Sequence, residues 1–514
     1  MDHTIHTTLA AWAHHHAKTR PTALALATPD GPTHTWQRLD HQARRLAAGL
    51  HRRGVSIGDR VLLGFPNHTL HLEALLACAH LGAICVPLNT RWSAPEAHWA
   101  LEHAQPRAVL LDSERAAGWR WNLDPARDLV LEEDAYTALT SSGAEPPEVD
   151  VDPDWPAVML YTSGTTRRSK GVLLSHRNLA SSARQFVQGL GLTASDVNYA
   201  VAPLFHTAGL GVMTLPLMAV GGASVIATRF EPEAALRAMA DSQQESALQC
   251  TCAFMVPTMW YALAHHEGME SLTFDRFRLG VVGGAPCPQE LRERLNEHGL
   301  PLAVGYGMTE AAPMGTLLMP DQGHPDSVGQ PGPQVELQVM DAEGQPAPLG
   351  TAGEVVLRGP NIMCGYWRNE EATRAAFAQG GWLRTGDIGW LDTEGFLTLV
   401  DRREDMIISG GENIYPSEVE SVLEKHPKVA EVAVIGTPEP RWGEVVTAVV
   451  VAAQGEQVVL EELREWAAQE LGRFKLPKRL VHVALLPRGG TGKVLRSTLR
   501  TRWGEGVWRD VQTT

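Results

Sequence analysis

The chain has 514 residues, enough for about three structural units with ample core. Its 44 Lys and Arg against 59 Asp and Glu leave a net charge of −15, which gives general electrostatics no hold on nucleic acid or an anionic membrane. Any anion the protein binds must be gripped by a local site.

From the N-terminus, "MDHTIHTTLAAWAHHHAKTR" lacks a basic start followed by an apolar core, so no signal peptide is expected. His14, His15 and His16 are neighbours, and on a helix they point in different directions, a poor arrangement for one metal ion. The six cysteines, at 78, 85, 250, 252, 287 and 364, are spread out and read as buried reduced thiols, which suits the cytoplasm. "TWQRLDHQARRLAAGLHRRG" puts Leu39, Ala43, Leu46, Ala47 and Leu50 on one helical face. "DRVLLGF" reads as a strand, "HLEALLACAHLG" as a helix, "AICVPL" as a strand, "APEAHWALEHA" as a helix and "AVLLD" as a strand. Such alternation predicts a largely parallel sheet covered by helices.

Residues 141–156 read as a surface connection, after which the strand "AVMLYTSG" runs into "YTSGTTRRSKG" (161–171). Val197 to Thr228 carries no Asp, Glu, Lys or Arg, long enough to span a bilayer. Its prolines and glycines instead predict a strand, a buried helix over about 208–219 and the strand "ASVIA". Short runs between 327 and 400 predict a smaller β-rich unit. Beyond 401–405, "YPSEVESVLEKHP" reads as a helix capped by Ser417 with Glu420 three residues on. "VAEVAVIG" and "VVTAVVVAA" read as strands and "VLEELREWAAQELG" as an amphipathic helix. The expected fold is α/β: a large N-terminal domain of helix-covered sheets with a small β-rich subdomain (1–400), a hinge (401–405), and a small mobile α+β C-terminal domain (406–514).

A strand that ends in glycine and hydroxyl residues can wrap backbone N–H groups around phosphate oxygens. Thr162, Ser163, Thr165 and Thr166 add hydroxyls beside Gly164, and Lys170 adds a charge. It is not a Walker loop: no glycine precedes Lys170 and no Ser or Thr follows it. "GGTGKV" (489–494) fails the same test at Val494. No early strand is followed by the G-x-G-x-x-G of a dinucleotide oxidoreductase.

"YTSGTTRRSKG", "GYGMTE" (305–310), "RTGD" (384–387), "DRREDMIISGGENIYPSEVE" (401–420) and "RGGTGKVLR" (488–496) occur in that order. Together they resemble the acyl-adenylate-forming superfamily, in its acyl-CoA synthetase or acid–CoA ligase branch, over about residues 10–500. The resemblance implies two steps: a carboxylate attacks the α-phosphate of ATP, giving acyl-AMP and pyrophosphate, and a thiol then displaces AMP. Its implied catalytic residues are Lys493, Thr309, Glu310 and Lys170, with Lys170 neutralising phosphate charge and Glu310 ligating Mg2+. Lys493 would bridge the substrate carboxylate and the α-phosphate. The implied nucleotide site is the loop Thr162–Thr166, Gly284, Ala285 and Pro286 along one side of adenine, Gly305, Tyr306, Gly307 and Met308 along the other, Thr309 on phosphate, and Asp387 with Arg402 on ribose.

The acyl pocket is expected at His206, Phe254, Gly283, Gly305 and Ala311. Small residues at 305, 307, 311 and 312 suggest room for an extended chain, hence a medium- or long-chain fatty acid; an aryl acid, including o-succinylbenzoate, is the alternative. Gly410 and Gly411 resemble the pantetheine tunnel wall and Trp442 a residue that stacks on CoA, although a packed tryptophan fits Trp442 as well. With no carrier domain evident, free CoA is the expected acceptor; loading of a separate carrier protein is the second alternative. A homodimer is expected by analogy alone. Two departures from the family pattern stand out. Arg167 and Ser169 replace a glycine and a proline in the phosphate loop, and the hinge position is Glu404, where Asp or Lys is commoner.

Overall fold

The computed structural model describes residues 6–29, 31–122, 124, 127–130, 133–141, 145–162, 169–241, 248–402, 406–487, 494–508 and 511–513, without the side chains of 133, 134, 400–402 and 417. Its first sheet runs, in spatial order, Gly365–Tyr366, Lys170–Ser175, Pro156–Thr162, Ile84–Pro87, Arg60–Gly64, Ala108–Leu111 and Asp128–Val130. Five of these strands, Pro156–Thr162 onward, pair in parallel, as helix–strand alternation requires. Lys170–Ser175 and Gly365–Tyr366 join in antiparallel sense, so the strands on either side of residues 163–169 are paired with Thr162 opposite Lys170. The loop expected to hold phosphate therefore springs from two fixed cross-strand partners. Ser163, Gly164, Thr165, Thr166, Arg167 and Arg168 themselves lie outside the described residues.

The second sheet contains Leu302–Tyr306, Leu279–Gly283, Cys252–Met255, Val197–Ala200, Ala223–Ile226 and Leu24–Ala27 as parallel neighbours, with antiparallel strands at both edges. Between the two sheets lies a shared core. The helix Trp36–Arg52 buries the predicted face, Leu39, Ala43, Leu46, Ala47 and Leu50. The charge-free stretch folds as expected: strand Val197–Ala200, helical turns over 207–220 and strand Ala223–Ile226. Its helical part contains a π turn, Leu210–Thr214, whose Thr214 hydroxyl donates to the Gly209 carbonyl at 2.9 Å. Among the described residues, no helix is long and apolar enough to cross a membrane.

A smaller antiparallel sheet, Glu336–Met340, Gly353–Arg358, Trp382–Leu391, Phe377–Ala378 and Leu397–Arg402, is the β-rich unit. The C-terminal unit has its own sheet and core, built on Val429–Glu439 against Gly443–Ala452. Glu404, the expected hinge residue, lies outside the described residues.

Two expectations are corrected. The helix in "YPSEVE" begins at Pro416 with Tyr415 as its N-cap, so Ser417 is already inside it. Proline presets the first helical φ and lacks the N–H that would need capping. Glu420, freed from a capping box, instead accepts the Val434 N–H at 2.7 Å and pairs with Arg496 at 2.6 Å. The cysteines are all free, but only Cys78, Cys85, Cys250 and Cys252 are buried; Cys364 is exposed and Cys287 half-buried. Cys364 sits on the sheet-edge segment leading to Gly365–Tyr366, where one side faces solvent.

Candidate active site

At the C-terminal ends of the second sheet, Leu302–Tyr306 delivers Tyr306 and then turns through Thr309–Ala311. Gly307 has no space for a side chain: a Cβ there would stand 1.7 Å from the Pro313 carbonyl oxygen. The loop is closed over itself in this way, and Glu310 is carried inward, 7% exposed. Lys170 approaches from the first sheet. Its ammonium lies 4.7 Å from the centre of the Tyr366 ring, and the Tyr366 hydroxyl donates to Glu310 Oε1 at 2.8 Å. Burial raises the Glu310 carboxyl above its ordinary pKa, against the pull of the Tyr366 hydroxyl and the Lys170 charge. A carboxylate near an ammonium, beside the loop expected to hold phosphate, is a donor set suited to magnesium and phosphate oxygens.

Tyr306 donates its hydroxyl to Asp387 Oδ2 at 2.8 Å, which ties the second sheet to the smaller antiparallel sheet at the site. Asp387 stands opposite Arg402 in the strand register; the Arg402 side chain lies outside the described residues. Gly283 ends its strand beside Gly305, and a Cβ on it would meet the Gly305 carbonyl at 2.7 Å and Phe254 Cε2 at 3.5 Å. Gly284, at φ 81°, opens the turn into Ala285 and Pro286 that glycine alone takes easily. Met308 and Thr309 are half-buried, and Ala311 is fully buried. Thr162 is half-buried at the strand end. Lys493 lies outside the described residues.

Gly410 and Gly411 are the two-residue loop of the hairpin Ile407–Ser409/Glu412–Ile414, with φ 59° and 82°, the backbone of a type I′ turn. A Cβ on Gly411 would lie 2.9 Å from Val256 of the large domain, and one on Gly410 2.9 Å from the Trp442 ring. That ring is also faced by Lys478 Nζ at 4.2 Å and the Arg441 guanidinium at 4.7 Å.

Sequence reasoning missed Glu412. It is 3% exposed and belongs to the C-terminal unit, yet it contacts three residues of the large domain: His206 Nε2 at 3.0 Å, Arg91 Nη1 at 2.7 Å and Asn89 Nδ2 at 3.3 Å. Burial opposes its charge, but His206, Arg91 and Asn89 outweigh burial and hold its carboxyl down at about 2. His206, expected in the acyl pocket, thus also faces the domain interface. The cavity beside it is lined by Trp92, Tyr161, Phe205, His206, Glu412 and Phe474 among others. The "GGEN" context was the only signal for Glu412.

A second buried contact lies nearby. Lys475, 1% exposed, bridges Glu96 of the large domain and Glu418 of its own unit, the latter at 2.7 Å. Glu96 is also the capping-box acid of the helix Ala94–Ala104.

The sequence model of the family described as "AMP-binding enzyme" matches residues 13–367, and that of the "AMP-binding enzyme C-terminal domain" matches residues 418–493. The chain belongs to the AMP-binding enzyme family, in its acid–CoA ligase branch. It is 39% identical to a feruloyl-CoA synthase from Amycolatopsis over 96% of this chain and 99% of that one. An indoleacetate–CoA ligase from Aromatoleum aromaticum is 34% identical, over 96% and 97%. Among solved structures, an o-succinylbenzoate CoA synthetase (a double mutant) from Bacillus subtilis, bound with a product analogue, superposes with a TM-score of 0.85 at 33% identity, covering 96% of this chain and 98% of that one. The family and the α/β architecture expected from the ordered motifs are those found.

Proposed function

We propose that this AMP-binding enzyme is an ATP-dependent carboxylic acid–CoA ligase. The observation that carries the reading is the meeting of Lys170, Glu310 and the Tyr306–Asp387 pair, brought together from three sheets. ATP and a carboxylate repel each other, so adenylation needs fixed cations and dipoles between them. Lys170 and the backbone of 162–166 hold the β- and γ-phosphates. Thr309 binds phosphate, and Glu310 holds Mg2+, which when bound neutralises phosphate charge. Tyr306, with Gly305, Gly307 and Met308, flanks adenine opposite Gly284, Ala285 and Pro286; Asp387 and Arg402 hold ribose. Lys493 is brought in about the hinge at Glu404 for the first step. The acid's carboxylate oxygen attacks the α-phosphorus, the bond to pyrophosphate breaks, and the CoA sulfur then attacks the acyl carbonyl as AMP leaves. Gly410, Gly411 and Trp442 serve that second step. The expected setting is the cytoplasm, with a homodimer as the expected assembly.

The acid is apolar: His206, Phe254, Gly283, Gly305 and Ala311 surround its place. Small residues argue less for chain length than the sequence suggests. Gly307 is accounted for by the Pro313 carbonyl, and the carbonyls of Ala311 and Ala312 are tied to Asn361 and Ser182. A medium- or long-chain fatty acid therefore stands beside an aryl acid, which the feruloyl-CoA synthase relative supports. Acid-dependent exchange of pyrophosphate into ATP, measured over fatty, cinnamic, indoleacetic and benzoic acids and then with CoA, tests the reading. Exchange with no acid in the panel defeats it. Exchange followed by acylation of a carrier protein but not of CoA assigns the acceptor to the carrier instead.

A further inference from the structure

Pro360–Trp367, "PNIMCGYW", belongs to none of the five motifs, yet it holds Glu310 at two points and the turn that follows it at two more. Asn361, fully buried, donates from Nδ2 to the carbonyls of Ala311 at 2.7 Å and Met314 at 2.9 Å, and accepts from Gln185. The Met363 N–H donates to the carbonyl of Glu310 itself at 2.8 Å. The Tyr366 hydroxyl donates to the Glu310 side chain at 2.8 Å. Tyr366 is in turn fixed by its strand pairing to Val172 and by its N–H to Thr373 Oγ1 at 2.9 Å.

The ring of the same tyrosine faces Lys170 at 4.7 Å. A lysine and a glutamate in one half-closed site would collapse onto each other, since opposite charges attract strongly where water is scarce. Here no ion pair joins Lys170 to Glu310 among the described residues: the hydroxyl engages one and the π face the other.

We propose that Tyr366 is a positioning residue for the nucleotide–metal site, its hydroxyl setting the Glu310 carboxylate and its ring holding Lys170 apart from that carboxylate. This rests on the ligase reading, in which Glu310 meets the divalent cation and Lys170 the phosphates. Partners of this kind behind a metal ligand typically contribute roughly 10–100-fold to metal affinity.

The test is calorimetric binding of ATP alone and of Mn2+·ATP to wild type, Y366F and Y366L, with no turnover needed. Y366F keeps the ring and loses the hydroxyl: ATP alone should bind as to wild type, while the gain from Mn2+ falls about tenfold or more, at an unchanged melting temperature. Y366L should weaken ATP binding in the absence of metal as well. Equal Mn2+ gain in wild type and Y366F overturns the proposal alone. So does a Y366F that melts lower and loses ATP affinity equally with and without Mn2+, which is the mark of a merely structural tyrosine. A wild type that binds no ATP in either form brings down the ligase reading, and the proposal with it.

Discussion

Two glycines two residues apart are held for different reasons. Gly307 is closed in by its own loop, since a Cβ would meet the Pro313 carbonyl oxygen at 1.7 Å. A Cβ on Gly305 would meet Val281 and Leu317 at 3.5 and 3.8 Å, ordinary contact. Gly307→Ala should therefore displace the turn that carries Thr309 and Glu310, costing about 1–3 kcal/mol in urea unfolding and weakening ATP binding. Gly305→Ala should unfold like wild type and change the ranking of acids in the exchange assay. Equal stability losses in the two variants would contradict this assignment. "GYGMTE" was legible in the sequence as a motif, because its residue types are the ones its chemistry needs. The separate reasons for its glycines were not, because the atom that excludes a side chain at 307 belongs to Pro313, reached only when the loop closes.

At the scale of elements, the hairpin Ile407–Ile414 shows the same division. The resemblance gives Gly410 and Gly411 only as a tunnel wall; positive φ at both makes them the two-residue loop of a type I′ hairpin. What local pattern could not supply is the far side, where Gly411 lies against Val256 of the large domain. Gly411→Ala places an L-residue in the left-handed region, at about 1–2 kcal/mol, and pushes it into Val256. On the ligase reading, acid-dependent pyrophosphate exchange should persist while CoA thioester formation falls, measured separately by isotope exchange and by thiol consumption. A parallel loss of both steps would count against a role confined to the second. The spacing Ser417…Glu420 misled for a comparable reason. It satisfies a local pattern, but Pro416 had already set the helix start, and Glu420 found long-range partners in Val434 and Arg496.

Across the whole molecule, burial of histidine sets an acid limit. His16, His34 and His176 are held down at about 4 and His71 at about 3, in each case by burial first. Among the described residues, both ring nitrogens of His71 lack a hydrogen-bond partner. Released on unfolding, these groups bind protons near their ordinary value of 6.5, so below it the unfolded chain takes up more protons than the folded one. Stability should be full above about pH 6.5 and fall as the pH drops towards 4. At pH 5.5 each such histidine costs about 1.4 kcal/mol. Thermal unfolding at pH 7.5 and 5.5 measures it, and a melting temperature that is flat over that range would show the histidines already protonated in the fold. At the domain interface the charges are uneven: Lys475 serves two carboxylates, one from each side. Were the two units to part, Lys475 would retain Glu418, and Glu96 would retain the Ser93 N–H and hydroxyl it already accepts. Neither side is left with an orphaned charge, so this contact is built like a clasp that opens without breaking either half.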